Sequence, residues 1–330
     1  MTLSVGVIGT GSIGTDHVRR LAREVAGSRV AAVFDVATER AAQVAASAGA
    51  TAHRRAADVI ADPDVEAVVI ASPGGTHAGL VLDCLAAGKP VLCEKPLSPT
   101  LADSAVLLSD LGSAASLVSL GFMRRFDPGY TELRAAVQAG RVGSPVTVHS
   151  VGRGITSGPG STSESSVSNS AIHDLDIVPW LLGSPVVEVS WHSPRQADGV
   201  GFADPQLILL RTADGVLSTV DIFLNARYGY DVRCEVVGES GVLSLVEPAR
   251  TVVDAGLQHG QAYAADWRPR FADAYRLELQ AWVDSLTGIP SAALATAHDG
   301  LVASAVADAV VRSMHDDGAR VAVSVPEVGA

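Results

Sequence analysis

Cysteine is scarce: Cys84, Cys93 and Cys234 are the three in 330 residues, odd in number and widely spaced. They make neither a disulfide framework nor a C-x-x-C zinc pattern, which points to a reducing compartment. Clustered cations are missing as well. Lys and Arg total 24 against 36 Asp and Glu, a formal net charge of −12. Nucleic acid and anionic membrane surfaces both call for basic patches, so neither is expected as a partner. No apolar run approaches the ~20 residues that span a bilayer. No basic and apolar leader precedes the first strand pattern, at Leu3 to Ile8, so a cytoplasmic location is expected. There is no His-x-x-x-His pair and no Cys/His cluster, so no metal is expected.

What is present is an ordinary globular balance, 48% hydrophobic and 18% charged, over a length that suits two domains. Residues 1–122 alternate short Val/Ile/Leu runs with helix-period segments. Strands are expected at Ser4–Gly9, Arg29–Val36, Glu66–Ser72, Pro90–Glu94 and Leu117–Phe122, with helices at Asp16–Val25, Thr38–Ala48, Thr76–Ala87 and Leu101–Leu111 between them. That alternation predicts a doubly wound parallel sheet covered on both faces, a Rossmann domain. In residues 123–330 strand patterns follow one another through tight turns such as Asp214-Gly215. This predicts a second, α+β domain with an open, mostly antiparallel sheet for substrate binding and oligomerisation. Two long helical patterns near Arg270–Leu286 and Ala295–Met314 close the chain and have the length to pack back on the first domain. Gly152–Ser170, rich in Gly and Ser, reads as a mobile loop.

Gly9-Thr10-Gly11-Ser12-Ile13-Gly14 is G-x-G-x-x-G, set after an apolar strand and at the opening of a helix. In that context the glycines serve a tight turn, close approach of backbone to a pyrophosphate, and helix–strand packing. Gly9, Gly11, Ser12, Ile13 and Gly14 are therefore expected dinucleotide contacts. Asp35, at the end of the second strand pattern, is expected to accept both ribose hydroxyls and to repel a 2′-phosphate, favouring NAD. Arg40 stands too far along the next helix to reverse that preference.

Two further clusters carry chemistry. Cys93-Glu94-Lys95-Pro96 lies at the carboxyl end of a parallel strand, where open α/β sheets place their ligands. Asn169-Ser-Ala-Ile-His173-Asp174-Leu-Asp176 reads as the first turns of a helix, which would put Asn169, His173 and Asp176 on one face. With Ala71-Ser72-Pro73, His77, and Gly121-Phe122-Met123-Arg124-Arg125-Phe126-Asp127, these motifs resemble the glucose-fructose oxidoreductase, inositol dehydrogenase and rhizopine catabolism (Gfo/Idh/MocA) family over nearly the whole chain. Arg227-Tyr228-Gly229-Tyr230-Asp231 looks most like its inositol 2-dehydrogenase branch.

The resemblance implies an NAD-dependent dehydrogenase acting on a secondary hydroxyl of a cyclitol or sugar. It implies His173 as the base for the hydroxyl proton and Lys95 as the donor that stabilises the alkoxide. Asn169 would orient the histidine. Ser72, Pro73, His77, Glu94 and Lys95 would line the cofactor, while Arg124, Arg153, Asp176 and Tyr230 would meet substrate hydroxyls. Homodimers or homotetramers are implied through the second sheet.

Two departures stand out. The family commonly has Asp where this chain has Asn169, which can orient an imidazole but not stabilise its cation by charge; Asp176 is the expected substitute. Where the inositol enzymes tend to carry His-Arg-Asn, this chain has Gly152-Arg153-Gly154. A wider pocket is the expected consequence, which opens the alternative of a dehydrogenase for an aminocyclitol or aminoglycoside hydroxyl in antibiotic biosynthesis. Asn169 opens another, a non-catalytic dinucleotide-binding sensor.

Overall fold

Short, fully apolar runs become strands buried on both faces. In the computed structural model, which describes residues 2–246 and 251–328, Val5, Val7, Val33, Val69 and Leu92 are at most 1% exposed. Each such side chain contributes roughly 1.5–3 kcal/mol by leaving water. They belong to β1 (Leu3–Ile8), β2 (Ser28–Phe34), β4 (Ala67–Ile70) and β5 (Val91–Glu94). The two-residue β3 (Thr51–Ala52) and β6 (Val118–Gly121) complete the parallel set. Helices α1 (Ser12–Arg23), α2 (Thr38–Ala48), α3 (Ala56–Ala61), α4 (His77–Ala86) and α5 (Leu101–Leu111) connect them. The strand order is 6-5-4-1-2-3, so the chain reverses direction between β1 and β4. This is the doubly wound arrangement, whose ligand crevice lies at the carboxyl ends of the strands at that reversal.

The second unit is built on α6 (Pro128–Gln138), β7 (Pro145–Arg153), a three-residue turn α7 (Ser163–Ser165) and α8 (Ile172–Leu182). Five strands follow: β8 (Val186–His192), β9 (Gln206–Thr212), β10 (Leu217–Phe223), β11 (Asp231–Gly238) and β12 (Gly241–Ser244). They pair in the order 12-11-7-10-9-8, all antiparallel except β10 with β7. The Asp214-Gly215 turn joins β9 to β10, with Gly215 at φ +90°, a conformation glycine adopts without strain. Beyond the sheet lie a small hairpin, β13 (Val253–Ala255) with β14 (Gln258–Gly260), and α9 (Trp267–Arg270).

The two compact units do not follow the chain linearly. The first runs through Phe126 and regains Asp273–Ser304 and the segment from Val325; the second holds Asp127–Ala272 and Ala305–Ser324. Thus α10 (Ala272–Leu286) gives Leu279, Trp282 and Val283 to the core of the first unit, and β15 (Ala295–Thr296) pairs with its β6. After α11 (Ala297–His315), β16 (Val321–Ala322) closes the second sheet against β8. Gly152–Ser170, expected as a loop, is in part ordered helix. Thr162 and Ser165 make a reciprocal cap on α7, and a π-helical turn, Ser166–Ala171, leads into α8. Among the described residues no helix is long and apolar enough to cross a membrane.

Candidate active site

β1 ends at Ile8, and the chain must turn sharply to enter α1. Gly9 does so at φ +94°, where a Cβ would lie 2.6 Å from the Ala71 backbone. A Cβ on Gly14 would stand 1.9 Å from the Gly9 carbonyl oxygen, so this position is closed to any side chain. Gly11 is different: nothing lies within 4 Å of its Cβ position. It is the N-cap of α1, with no side-chain cap and no acidic residue in the first turn. By contrast Thr100 caps α5 and Asp127 caps α6 with their side chains. Bare amides, a helix dipole and open space at Gly11 form a cradle that fits a pyrophosphate.

Asp35, 5% exposed, holds the far end of this cradle. Its Oδ2 accepts from Thr10 N at 2.7 Å and Thr10 Oγ1 at 3.1 Å. Its Oδ1 accepts from Ala37 N at 2.8 Å and Arg40 Nη2 at 2.7 Å. Burial raises the carboxyl, but the Arg40, Ala37 and Thr10 hydrogen bonds outweigh it and hold the pKa down to about 2. The expectation that Arg40 stands too far away is corrected here. It falls in the first turn of α2, and that turn carries the guanidinium back to the carboxylate.

The carboxyl ends of β4 and β5 bring a second group together. His77 is buried and bridges two loops, Nε2 to the Ser72 carbonyl and Nδ1 to the Pro96 carbonyl, both at 2.8 Å. Ser72 Oγ lies 2.7 Å from Thr76 Oγ1, Pro73 is exposed, and the Lys95–Pro96 peptide is cis. Glu94, 8% exposed, meets His17 Nε2 at 2.8 Å through Oε1 and the Lys95 amide at 3.3 Å through Oε2. Burial raises Glu94, yet the His17 hydrogen bond and the charges of His17, Lys95 and His77 bring it below its ordinary value. Half-buried Lys95 is lowered by burial; Glu94 opposes the shift and Arg124 adds to it. Arg124, expected at substrate hydroxyls, is 4% exposed. Cys93 is a buried strand residue whose thiol burial pushes well up. His17 is packed in the interior, and its ring also addresses Glu94. The sequence signal was a histidine on the buried stripe of α1, three residues after Gly14.

In the second unit, half-buried His173 sits in the first turn of α8. Asn169 precedes α8 by three residues. It lies in the π turn, where the ladder runs i to i+5, and is exposed, whereas Asp176 is 5% exposed. Beneath α8, Ser150 Oγ donates to Asp174 Oδ1 at 2.6 Å, and both residues are buried; sequence reasoning gave neither a role. Gly152 lies two residues on, and its Cβ position is 3.1 Å from Ile222 Cδ1 and 3.7 Å from Asp174 Oδ2. At Gly154 a Cβ would meet the Leu224 carbonyl oxygen at 3.0 Å. The two glycines are therefore sites of close packing, and the expected widening of the pocket is corrected.

Arg153, between them, projects to the opposite face of β7. It pairs with Asp221 on β10 and reaches the Tyr228 hydroxyl at 3.5 Å. Tyr228 in turn bonds Asp231, which Arg233 also holds. Half-buried Tyr230 stands edge-on to Phe271, centroids 6.3 Å apart.

Comparison with known proteins agrees with this geometry. Residues 3–122 match the oxidoreductase family, NAD-binding Rossmann fold, and residues 130–244 match the GFO/IDH/MocA C-terminal domain. The chain is 51% identical to inositol 2-dehydrogenase 2 of Paenarthrobacter aurescens over 98% of this chain and 99% of that one. It is 48% identical to inositol 2-dehydrogenase 1 of Saccharopolyspora erythraea over 96% and 95%. Among solved structures, myo-inositol dehydrogenase from Lactobacillus casei in complex with NAD(H) and myo-inositol superposes with a TM-score of 0.92 at 30% identity, covering 100% and 99% of the two chains. The doubly wound sheet with its open glycine cradle, the mostly antiparallel second sheet and these matches place the chain in the GFO/IDH/MocA family of NAD-dependent oxidoreductases.

Proposed function

We propose that the chain is an NAD-dependent cyclitol dehydrogenase that oxidises a secondary hydroxyl of an inositol, as an inositol 2-dehydrogenase does. The observation that carries the reading is the uncapped cradle at Gly11 with Asp35 at its far end, in a chain similar over nearly its full length to inositol 2-dehydrogenases. Bound NAD supplies the hydride acceptor. The chain's own residues do the rest. Gly9, Gly11, Ser12, Ile13 and Gly14 receive the pyrophosphate, and Asp35 takes the ribose diol. Ser72, Pro73 and His77 shape the loop beside them. Lys95 donates a hydrogen bond to the reacting oxygen and stabilises negative charge there. His173 takes the hydroxyl proton, a task suited to an imidazole with a nitrogen lone pair. Asp176 supplies charge that Asn169 lacks, and Arg124 and Tyr230 address the other hydroxyls. Arg153, committed to Asp221, supports the sheet rather than the substrate. The packed glycines at 152 and 154 remove the argument for a bulkier amino-substituted substrate.

Three free, buried cysteines suit the reducing cytoplasm. Self-association follows from the open face of the second sheet. There Leu207 and Leu209 on β9 and Phe223 on β10 alternate with buried Ile208, Leu210 and Ile222 yet remain half-exposed. A second copy of the chain is the proposed cover.

The test is NADH formation with myo-inositol, scyllo-inositol, glucose and aminocyclitols, run with the unaltered protein and with His173→Ala. Turnover on an inositol, reduced about 10²–10⁴-fold by the substitution, is expected. Turnover on aminocyclitols alone would return the function to the amino-substituted class. No turnover while NAD still binds would favour the non-catalytic sensor.

A further inference from the structure

His17 is fully buried on α1, 77 residues before Glu94 in sequence, and its ring nitrogen reaches the Glu94 carboxylate at 2.8 Å. The other ring nitrogen, Nδ1, is buried with no hydrogen-bond partner among the described residues. An imidazole placed only to fill space would not sacrifice a polar atom in this way. Tyr275 of α10 packs edge-on against the ring at 5.9 Å, and Arg20 stands 6.0 Å over Tyr275, so the histidine is held from its own helix and from the opposite side. Beside that contact, the Lys95 backbone amide donates to the other Glu94 oxygen at 3.3 Å, and His17, His77 and Lys95 all act on the carboxylate as positive charges.

We propose that His17 is a positioning residue for the reaction: by clamping the Glu94 carboxylate at the end of β5, it holds a negative charge beside Lys95 and keeps that ammonium cationic over the working pH range. The proposal rests on the reading of Lys95 as the donor to the reacting oxygen. Its physical basis is the cost of a buried carboxylate, which takes a proton when it loses its hydrogen bonds and nearby cations. Burial and Arg124 both pull Lys95 toward the neutral amine, and Glu94 opposes them. Removing His17 loosens and partly neutralises Glu94, so Lys95 loses its proton at lower pH.

The test reads Lys95 directly, in the full chain without cofactor or substrate. An amine-directed acylating reagent labels only the neutral amine, and mass spectrometry gives the extent of labelling at Lys95 against pH. His17→Ala should move the labelling midpoint down by about one pH unit or more, because the interaction lost is that of a close opposite charge. His17→Gln, which keeps a donor, should stay within a few tenths of a unit of the unaltered protein. Glu94→Gln leaves His17 packing in place and should reproduce the downward shift, which covers the case in which His17→Ala does not fold. The alkaline limb of kcat/KM should move with the labelling midpoint. An unmoved midpoint in His17→Ala or Glu94→Gln, or an equal shift in His17→Gln, overturns the proposal. If the midpoint shifts but Lys95→Ala retains turnover, the charge couple stands and the reading of Lys95 as the reacting donor falls.

Discussion

Asp35→Asn perturbs the cofactor end of the site with the smallest change in shape. In the structure the carboxylate accepts four hydrogen bonds, two on each oxygen, which matches its capacity of about four lone-pair sites. The amides of Thr10 and Ala37 are fixed by the backbone. A ribose diol must therefore displace the two side-chain donors, Thr10 Oγ1 and the Arg40 guanidinium. The net gain from the diol is an exchange, and replacing one charged oxygen by a neutral acceptor and the other by an amino donor should cost about 1 kcal/mol for each of two bonds. NAD should then bind roughly 30-fold more weakly. A 2′-phosphate gains instead. Its two negative charges at roughly 5 Å from Asp35 cost about 2 kcal/mol even at the dielectric of bulk water, and the substitution removes that cost. It also frees Arg40, a cation already in place, so NADP should bind at least roughly 30-fold more tightly. Adding Arg40→Ala should take back about tenfold of the gain. Titration calorimetry with NADH and NADPH on the three proteins measures all of this. An NADPH affinity in Asp35→Asn no better than that of the unaltered protein would refute the reasoning.

Two other expectations follow from positions that look equivalent in sequence. Gly11→Ala meets no protein atom and sits at φ −65°, so its melting temperature should hold while NAD affinity falls at least about tenfold, the added methyl occupying the cradle. Gly14→Ala drives a methyl into the Gly9 carbonyl and should cost about 1–3 kcal/mol, read as a lower melting temperature with or without NAD. If the first variant melts early or binds normally, the cradle is misassigned. Leu209→Lys, on the open sheet face, should shift the light-scattering mass toward the monomer and leave the secondary structure intact. An unchanged mass would direct the search for the oligomer interface elsewhere.

Several elements were legible because the sequence repeats a local rule. Thr38–Ala48 and Leu101–Leu111 form as their periodicity predicts, residue for residue. The G-x-G-x-x-G turn and Asp35 are also local. The glycine conformations and the strand-end acid are set within about one βαβ unit, so spacing was enough to name them. Short or irregular elements escaped. β3 and β15 have two residues each, too few for a period to show, and the π turn before α8 leaves no compositional mark among its Ser, Asn and Ala residues.

By itself, the sequence determined the class of each half of the chain and the nucleotide motif. Only the tertiary structure decided which polar groups meet. His17 and Glu94, Ser150 and Asp174, and Arg153 and Asp221 are each separated by at least 24 residues. It also decided that Asp273–Ser304 belongs with the first unit and that Gly152 and Gly154 fill space rather than open it. The reason is physical. Hydrophobic periodicity states that a face is buried, whereas hydrogen bonds and ion pairs form between groups that packing happens to bring within about 3 Å, and no local pattern records the partner.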